Sequence, residues 1–131
     1  MTDKVYINCD GASRGNPGPA AIGATIKDES GRLLASISRR LGNTTNNQAE
    51  YRAVIAALEE AAKLGAKRVT LLCDSELVVK QLKGQYRVKN EGLKPLHHHA
   101  LKLSEFFQEF KVSYVPRHHN READVLANKA F

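Results

Sequence analysis

Apolar and polar residues alternate through KVYINC (4–9), the period of a half-buried strand, and the run ends at Asp10. Gly11 to Pro19 holds three glycines and two prolines, which predicts a loop. Ala20–Lys27 and Arg32–Leu41 carry strand patterns, joined by Asp28-Glu29-Ser30-Gly31 as a four-residue hairpin connection. Gly42 to Asn46 is rich in turn residues. From about Asn47 to Leu64 the spacing becomes helical, with Ala49, Ala53, Ala57, Leu58, Ala61 and Leu64 on an apolar face. Thr45 and Gln48 fit a capping box at its start, and Gly65 fits its stop. Lys67–Cys73 reads as a buried strand ending at Asp74. Ser75 then caps a short helix that packs through Val78, Val79 and Leu82 and ends before Gly84. Residues 85–92 are polar and irregular. Leu93, Leu96, Ala100, Leu103, Phe107 and Phe110 follow helical spacing. Lys111–Pro116 is predicted as a last strand, and Asn120 as the cap of a helix beginning near Arg121.

The predicted order is β-β-β-α-β-α-α-β-α, which implies an α/β fold with a mixed sheet and helices on its faces. At 131 residues, with no repeat or linker, a single domain over residues 1–131 is expected. The net charge of +6 is compatible with a polyanionic partner but does not establish one. No apolar stretch follows a basic region at MTDKVYINCD, and no segment approaches the ~18 apolar residues of a membrane span. A monomeric, cytoplasmic protein with no membrane partner is the expectation. The cysteines Cys9 and Cys73 each precede an aspartate. Neighbouring strand residues face opposite ways, so aspartates facing a site leave the cysteines facing the core.

The acids carry the candidate chemistry. Asp10 and Asp74 follow strongly apolar runs, although aspartate is a poor strand former. Glu50 and Asp124 fall in the first turns of two helices. Acids favour the helix dipole there, so on position alone a structural and a functional reading stand level. Strand ends and helix starts converge at one edge of an α/β sheet, where ligands bind. A carboxylate cluster without grouped His or Cys selects Mg²⁺ or Mn²⁺ over zinc. Two such ions about 4 Å apart suit phosphodiester hydrolysis.

The sequence resembles type 1 ribonuclease H, in its shorter, archaeal-like branch. The matching motifs are Asp10-Gly11-Ala12-Ser13 with Gly15-Asn16-Pro17-Gly18, Thr45-Asn46-Asn47-Gln48-Ala49-Glu50, Cys73-Asp74-Ser75, and Asn120-Arg121-Glu122-Ala123-Asp124 with Leu126-Ala127-Asn128. The resemblance implies a ribonuclease H-like fold with a five-stranded mixed sheet. It also implies two-metal hydrolysis of the RNA strand of an RNA–DNA hybrid, leaving 5′-phosphate and 3′-hydroxyl ends. Carried over residue by residue, Asp10, Glu50, Asp74 and Asp124 hold two Mg²⁺ or Mn²⁺ ions per site. Gly11, Ala12, Ser13, Arg14, Gly15 and Asn16, together with Asn46, Asn47, Gln48 and Ser75, look like the family's substrate contacts. Amide side chains both donate to and accept from a 2′-hydroxyl, the group that distinguishes RNA from DNA. Arg117 is placed to meet a phosphate. His118 and His119 are equal candidates for a histidine that moves protons or aids product release.

The match has departures. The family's long basic insertion is missing or reduced, since residues 84–95 hold only Arg87, Lys89 and Lys94 as cations, and the chain has no tryptophan. His97-His98-His99 lies on a predicted helix, where side chains point about 100° apart and three in a row cannot meet one ion. Two other readings compete: a related nuclease that also cuts double-stranded RNA, and a non-catalytic hybrid-binding module. Pure binding would favour cations over a carboxylate cluster.

Overall fold

In the computed structural model, which describes residues 3–131, β1 (Lys4–Ser13), β2 (Gly18–Lys27) and β3 (Leu33–Thr44) form an antiparallel meander. β4 (Arg68–Cys73) pairs parallel with β1, and β5 (Glu109–Tyr114) parallel with β4, giving the order β3-β2-β1-β4-β5. The helices are α1 (Asn46–Lys63), α2 (Glu76–Leu82), α3 (Lys94–Ser104) and α4 (Arg121–Lys129), with a 3-10 turn at Arg117–His119. The fold is therefore α/β, a five-stranded mixed sheet flanked by helices, with β1 central. No helix among the described residues is long and apolar enough to cross a membrane.

The largest departures from the sequence pattern are the ends of β1, β3 and α3, each because strand pairing overrides local composition. β1 continues past Asp10 through Gly11, Ala12 and Ser13, which pair with Ile22, Ala21 and Ala20, so the loop shrinks to residues 14–17. β3 runs through the turn-like Gly42 and Asn43 to Thr44. α3 stops at Ser104 although its apolar spacing continues to Phe110. The Gln108 N–H donates to the Lys67 carbonyl (2.7 Å), and Phe110 pairs with Val69 in β5. Phe107 keeps a buried place without being helical.

α1 lies against β1, burying Tyr51, Val54 and Leu58 completely, and the two aliphatic side chains, Val54 and Leu58, each contribute about 1.5–3 kcal/mol of hydrophobic stabilisation. Its capping box forms as the sequence predicts: the Gln48 N–H donates to Thr45 Oγ1 (3.2 Å), and the Thr45 N–H donates to Gln48 Oε1 (3.0 Å). Cys9 and Cys73 are buried free thiols with Sγ atoms 3.3 Å apart. Ile22 of β2 belongs to the apolar core with α1, whereas Gly23, the next residue, meets α4. Adjacent strand residues face opposite ways, so α1 and α4 cover opposite faces of the sheet.

Gly23 permits the approach of α4, because a Cβ there would lie 2.2 Å from the Ala123 carbonyl oxygen and 2.4 Å from the Ala127 nitrogen. Both atoms are helix backbone and have little freedom to move. Gly23→Ala is expected to destabilise the protein by about 1–3 kcal/mol through overpacking. The check is equilibrium urea unfolding, and an unchanged midpoint would refute the close contact.

Candidate active site

β4 ends its pairing at Cys73 while β1 runs on to Ser13, so β1 loses its parallel neighbour at Asp10. Glu50 fills the vacated edge: the Gly11 N–H donates to its carboxylate in a short hydrogen bond. This needs the N-terminus of α1 to touch the strand. A Cβ on Gly11 would sit 2.3 Å from the carbonyl carbon of Ala49, so the contact requires glycine. Asp10, only 8% exposed, pairs across from Gly23 and so points toward the α4 face. Asp74 follows the last paired residue of β4. Carboxylate oxygens of Asp10, Glu50 and Asp74 all lie within 4.8 Å of one another. Asp124 lines the same cleft from the first turn of α4 but stands outside this triad, 3.5 Å from Arg117 Nη2. The cleft encloses about 370 Å³ and is also lined by Gly11, Ala12, Asn46, Asn47, Ser75 and Asn128.

Burial pushes the Asp10 carboxyl up to about 7, and the Asp74 and Asp124 carboxylates add to the rise. A hydrogen bond from Glu50 works the other way. Glu50 is held well above the usual carboxylate range by burial and then by the Asp10 charge. Asp74 is also raised by burial, against the opposing influence of the Asn120 amide and the Arg117 guanidinium. Among the described residues, Arg117 is the only cation lining the cleft. The acids are thus crowded beyond what the protein's own charges neutralise. An all-oxygen donor set of this kind fits a hard divalent cation such as Mg²⁺ or Mn²⁺.

Residues 8–130 match a family model described as reverse transcriptase-like. The bifunctional protein Rv2228c of Mycobacterium tuberculosis is 45% identical over 98% of this chain, which spans 35% of that relative's length. The N-terminal RNase H domain of Rv2228c, solved as a fusion with maltose-binding protein, superposes with a TM-score of 0.94, covering 97% of this chain and 98% of that one. RNase H1 of the halophilic archaeon Halobacterium salinarum is 44% identical, with a TM-score of 0.95 over 97% of this chain and 96% of that one. The chain belongs to the ribonuclease H family. A further ribonuclease H, LC11-RNase H1, has been solved in complex with an RNA/DNA hybrid. It is 40% identical and superposes with a TM-score of 0.91 over 96% of this chain and 95% of that one.

Within this ribonuclease H domain, the other predicted contact residues divide. Asn46, Asn47, Ser75 and Arg117 reach the cleft, as do Gly11 and Ala12. Ser13, Arg14, Gly15 and Asn16 lie beyond its lining and brace it. The Ser13 N–H donates to Asn46 Oδ1 (2.8 Å), and Asn16 Oδ1 accepts from the Asn46 N–H (3.0 Å). Arg14 instead lies over the Phe131 ring, 4.2 Å from its centroid. Gln48 does not line the cleft, because its side chain is engaged by the capping box and Thr44. His118 and His119 are exposed on the 3-10 turn. They line a separate hollow of about 180 Å³ with Asn8, Asn120, Arg121 and Glu122. His97 bonds the Gln81 carbonyl oxygen (3.2 Å) and packs edge-on to Tyr51, with His98 and His99 exposed. Asn128 is a cleft residue that the last motif contains but to which the sequence reading gave no role. Its spacing marks it, since it sits one helical turn after Asp124 and donates to that residue's carbonyl oxygen (3.0 Å).

Proposed function

We propose that this ribonuclease H domain is a metal-dependent endoribonuclease that hydrolyses the RNA strand of RNA–DNA hybrids. The observation that carries the reading is the meeting of Asp10, Glu50 and Asp74 within 4.8 Å, beside the amide side chains of Asn46 and Asn47. Asp10, Glu50, Asp74 and Asp124 would hold two Mg²⁺ or Mn²⁺ ions. Bound there, such ions supply an activated water and stabilise the leaving 3′-oxygen, a cut that leaves 5′-phosphate and 3′-hydroxyl ends.

The chain's own groups do the rest. Gly11 and Ala12 present backbone with almost no side chain, so a nucleic-acid strand approaches closely. Asn46 and Asn47 line the cleft beside the carboxylates, where their amides would recognise a ribose 2′-hydroxyl. Arg117 meets a phosphate from the opposite wall. Burial and mutual repulsion raise both the Asp10 and the Glu50 carboxyl, so a metal ion would compete with protons for them. We read residues 1–131 as one such domain, acting as a monomer in the cytoplasm.

The test compares RNA–DNA, RNA–RNA and DNA–DNA duplexes of one sequence with Mg²⁺, Mn²⁺ or EDTA. Cleavage of the hybrid's RNA strand alone, abolished by EDTA, is the expected result. Tight hybrid binding with no cleavage by either metal would replace this reading with a binding module. Equal cleavage of RNA–RNA would widen the substrate class to double-stranded RNA.

A further inference from the structure

Asn120 is 1% exposed, yet it stands at a helix start, where a polar side chain is ordinarily half in water. It occupies the N-cap position of α4 but makes no side-chain cap hydrogen bond. Its amide is committed elsewhere. Nδ2 donates to the Cys9 carbonyl oxygen (2.9 Å), which belongs to the peptide leading into Asp10. Oδ1 accepts from Asn8 Nδ2 (3.0 Å), a second tie to β1. The same amide also lies beside the Asp74 carboxyl. On the helix side, the Asn120 carbonyl accepts from the Asp124 N–H (3.1 Å).

We propose that Asn120 is a positioning residue that locks Asp10, Asp74 and Asp124 into one constellation. It sits where β1 and β4 part company after Cys9 and Cys73, and where α4 begins. Cross-strand hydrogen bonds no longer hold the two aspartates together beyond that point. A single residue replaces them, its side-chain amide bonded to β1 beside Asp74 and its backbone carbonyl bonded to the first turn of α4. A capping asparagine would need only the helix, so its burial and its two bonds to β1 are what call for a second role. Groups behind a ligand set orient it, and their removal typically weakens metal binding or activity by about tenfold to a hundredfold.

The inference rests on the metal-dependent reading above, and its test is independent of cleavage. Mn²⁺ affinity is measured by titration calorimetry for wild type, Asn120→Ala and Asn8→Ala, alongside melting in EDTA. Asn120→Ala is expected to bind Mn²⁺ about tenfold or more weakly, and Asn8→Ala, which removes one anchor of the amide, about threefold more weakly. On the hybrid, kcat is expected to fall in Asn120→Ala with KM unchanged. Undiminished Mn²⁺ affinity in Asn120→Ala, despite a lowered melting temperature, would reduce Asn120 to a structural residue and overturn the proposal. Should Asn120→Ala fail to fold, Asn8→Ala decides alone, and wild-type affinity there overturns it. A raised KM with unchanged kcat would also overturn it, by making Asn120 a substrate contact. A wild type that binds Mn²⁺ but cuts no duplex would defeat the nuclease reading and leave the affinity comparison standing.

Discussion

Asp74→Asn is expected to lower kcat on an RNA–DNA hybrid by about three orders of magnitude or more, with the fold intact. Asparagine matches aspartate in size, so the packing at the end of β4 is preserved. The groups that face Asp74 in the protein are the Asn120 amide and the Arg117 guanidinium, and an amide oxygen still accepts from either. What the change removes is a negative charge from the triad. Metal ions contribute several kcal/mol of charge stabilisation in the transition state, and each ~1.4 kcal/mol lost is about tenfold in rate. Folding without metal should not suffer, because the variant relieves crowding among carboxylates. Single-turnover cleavage with circular dichroism and melting in EDTA checks both parts. A kcat within about tenfold of wild type would exclude Asp74 from the metal set.

Asp74 also shows which parts of the site local pattern reveals. Two apolar runs each ending in Cys-Asp predict strands whose thiols face the core if their aspartates face a site. Cys9 and Cys73 do face the core, and they pair in register. Glu50 is different: the sequence pattern puts it in the first turn of α1, where the helix dipole explains an acid equally well, but α1 starts at Asn46, its first turn holds no acid, and Glu50 stands in the second. What brings it to Asp10 is a length mismatch, β4 stopping while β1 continues through Gly11, and strand length is set by pairing that composition does not report. The same limit explains the Gly11–Pro19 segment, where glycines and prolines signal a loop although Gly11, Ala12 and Ser13 are laddered to β2.

Side chains with two plausible partners were the least legible. Gln48 fits both a capping box and a substrate contact, and the cap holds it. Asn120 fits a cap, and β1 holds it instead. Asp124 sits apart from the triad beside Arg117, a neighbour in the preceding 3-10 turn whose direction no periodicity predicts. For Asn120 the choice depends on a backbone carbonyl that the fold brings from far along the chain, whereas Gln48 and Asp124 are settled by near neighbours in sequence.

In EDTA, Asp10→Asn should make the protein more stable than wild type at pH 8, by on the order of 2–4 kcal/mol, with the gap closing as the pH falls toward 4. Asp10 is buried, and burial with the neighbouring acids raises its pKa from 3.8 to about 7. In the unfolded chain the group ionises near its ordinary value. Folding therefore favours the protonated form. That preference contributes fully below the unfolded pKa and is lost as pH rises through about 7, so the metal-free protein weakens between pH 4 and 8. Asparagine cannot ionise and escapes the loss. For a chain of this size the gap at pH 8 corresponds to roughly 10 °C in Tm. Saturating Mn²⁺ should reverse the order, because a cation bound only by the native state stabilises wild type and leaves the variant, short of one carboxylate, behind. Thermal melts of both proteins at several pH values, with EDTA and with Mn²⁺, carry the comparison. A gap that stays constant with pH would mean that Asp10 is not the strained carboxyl, and a gap that survives Mn²⁺ would mean that the cluster is not where the metal binds.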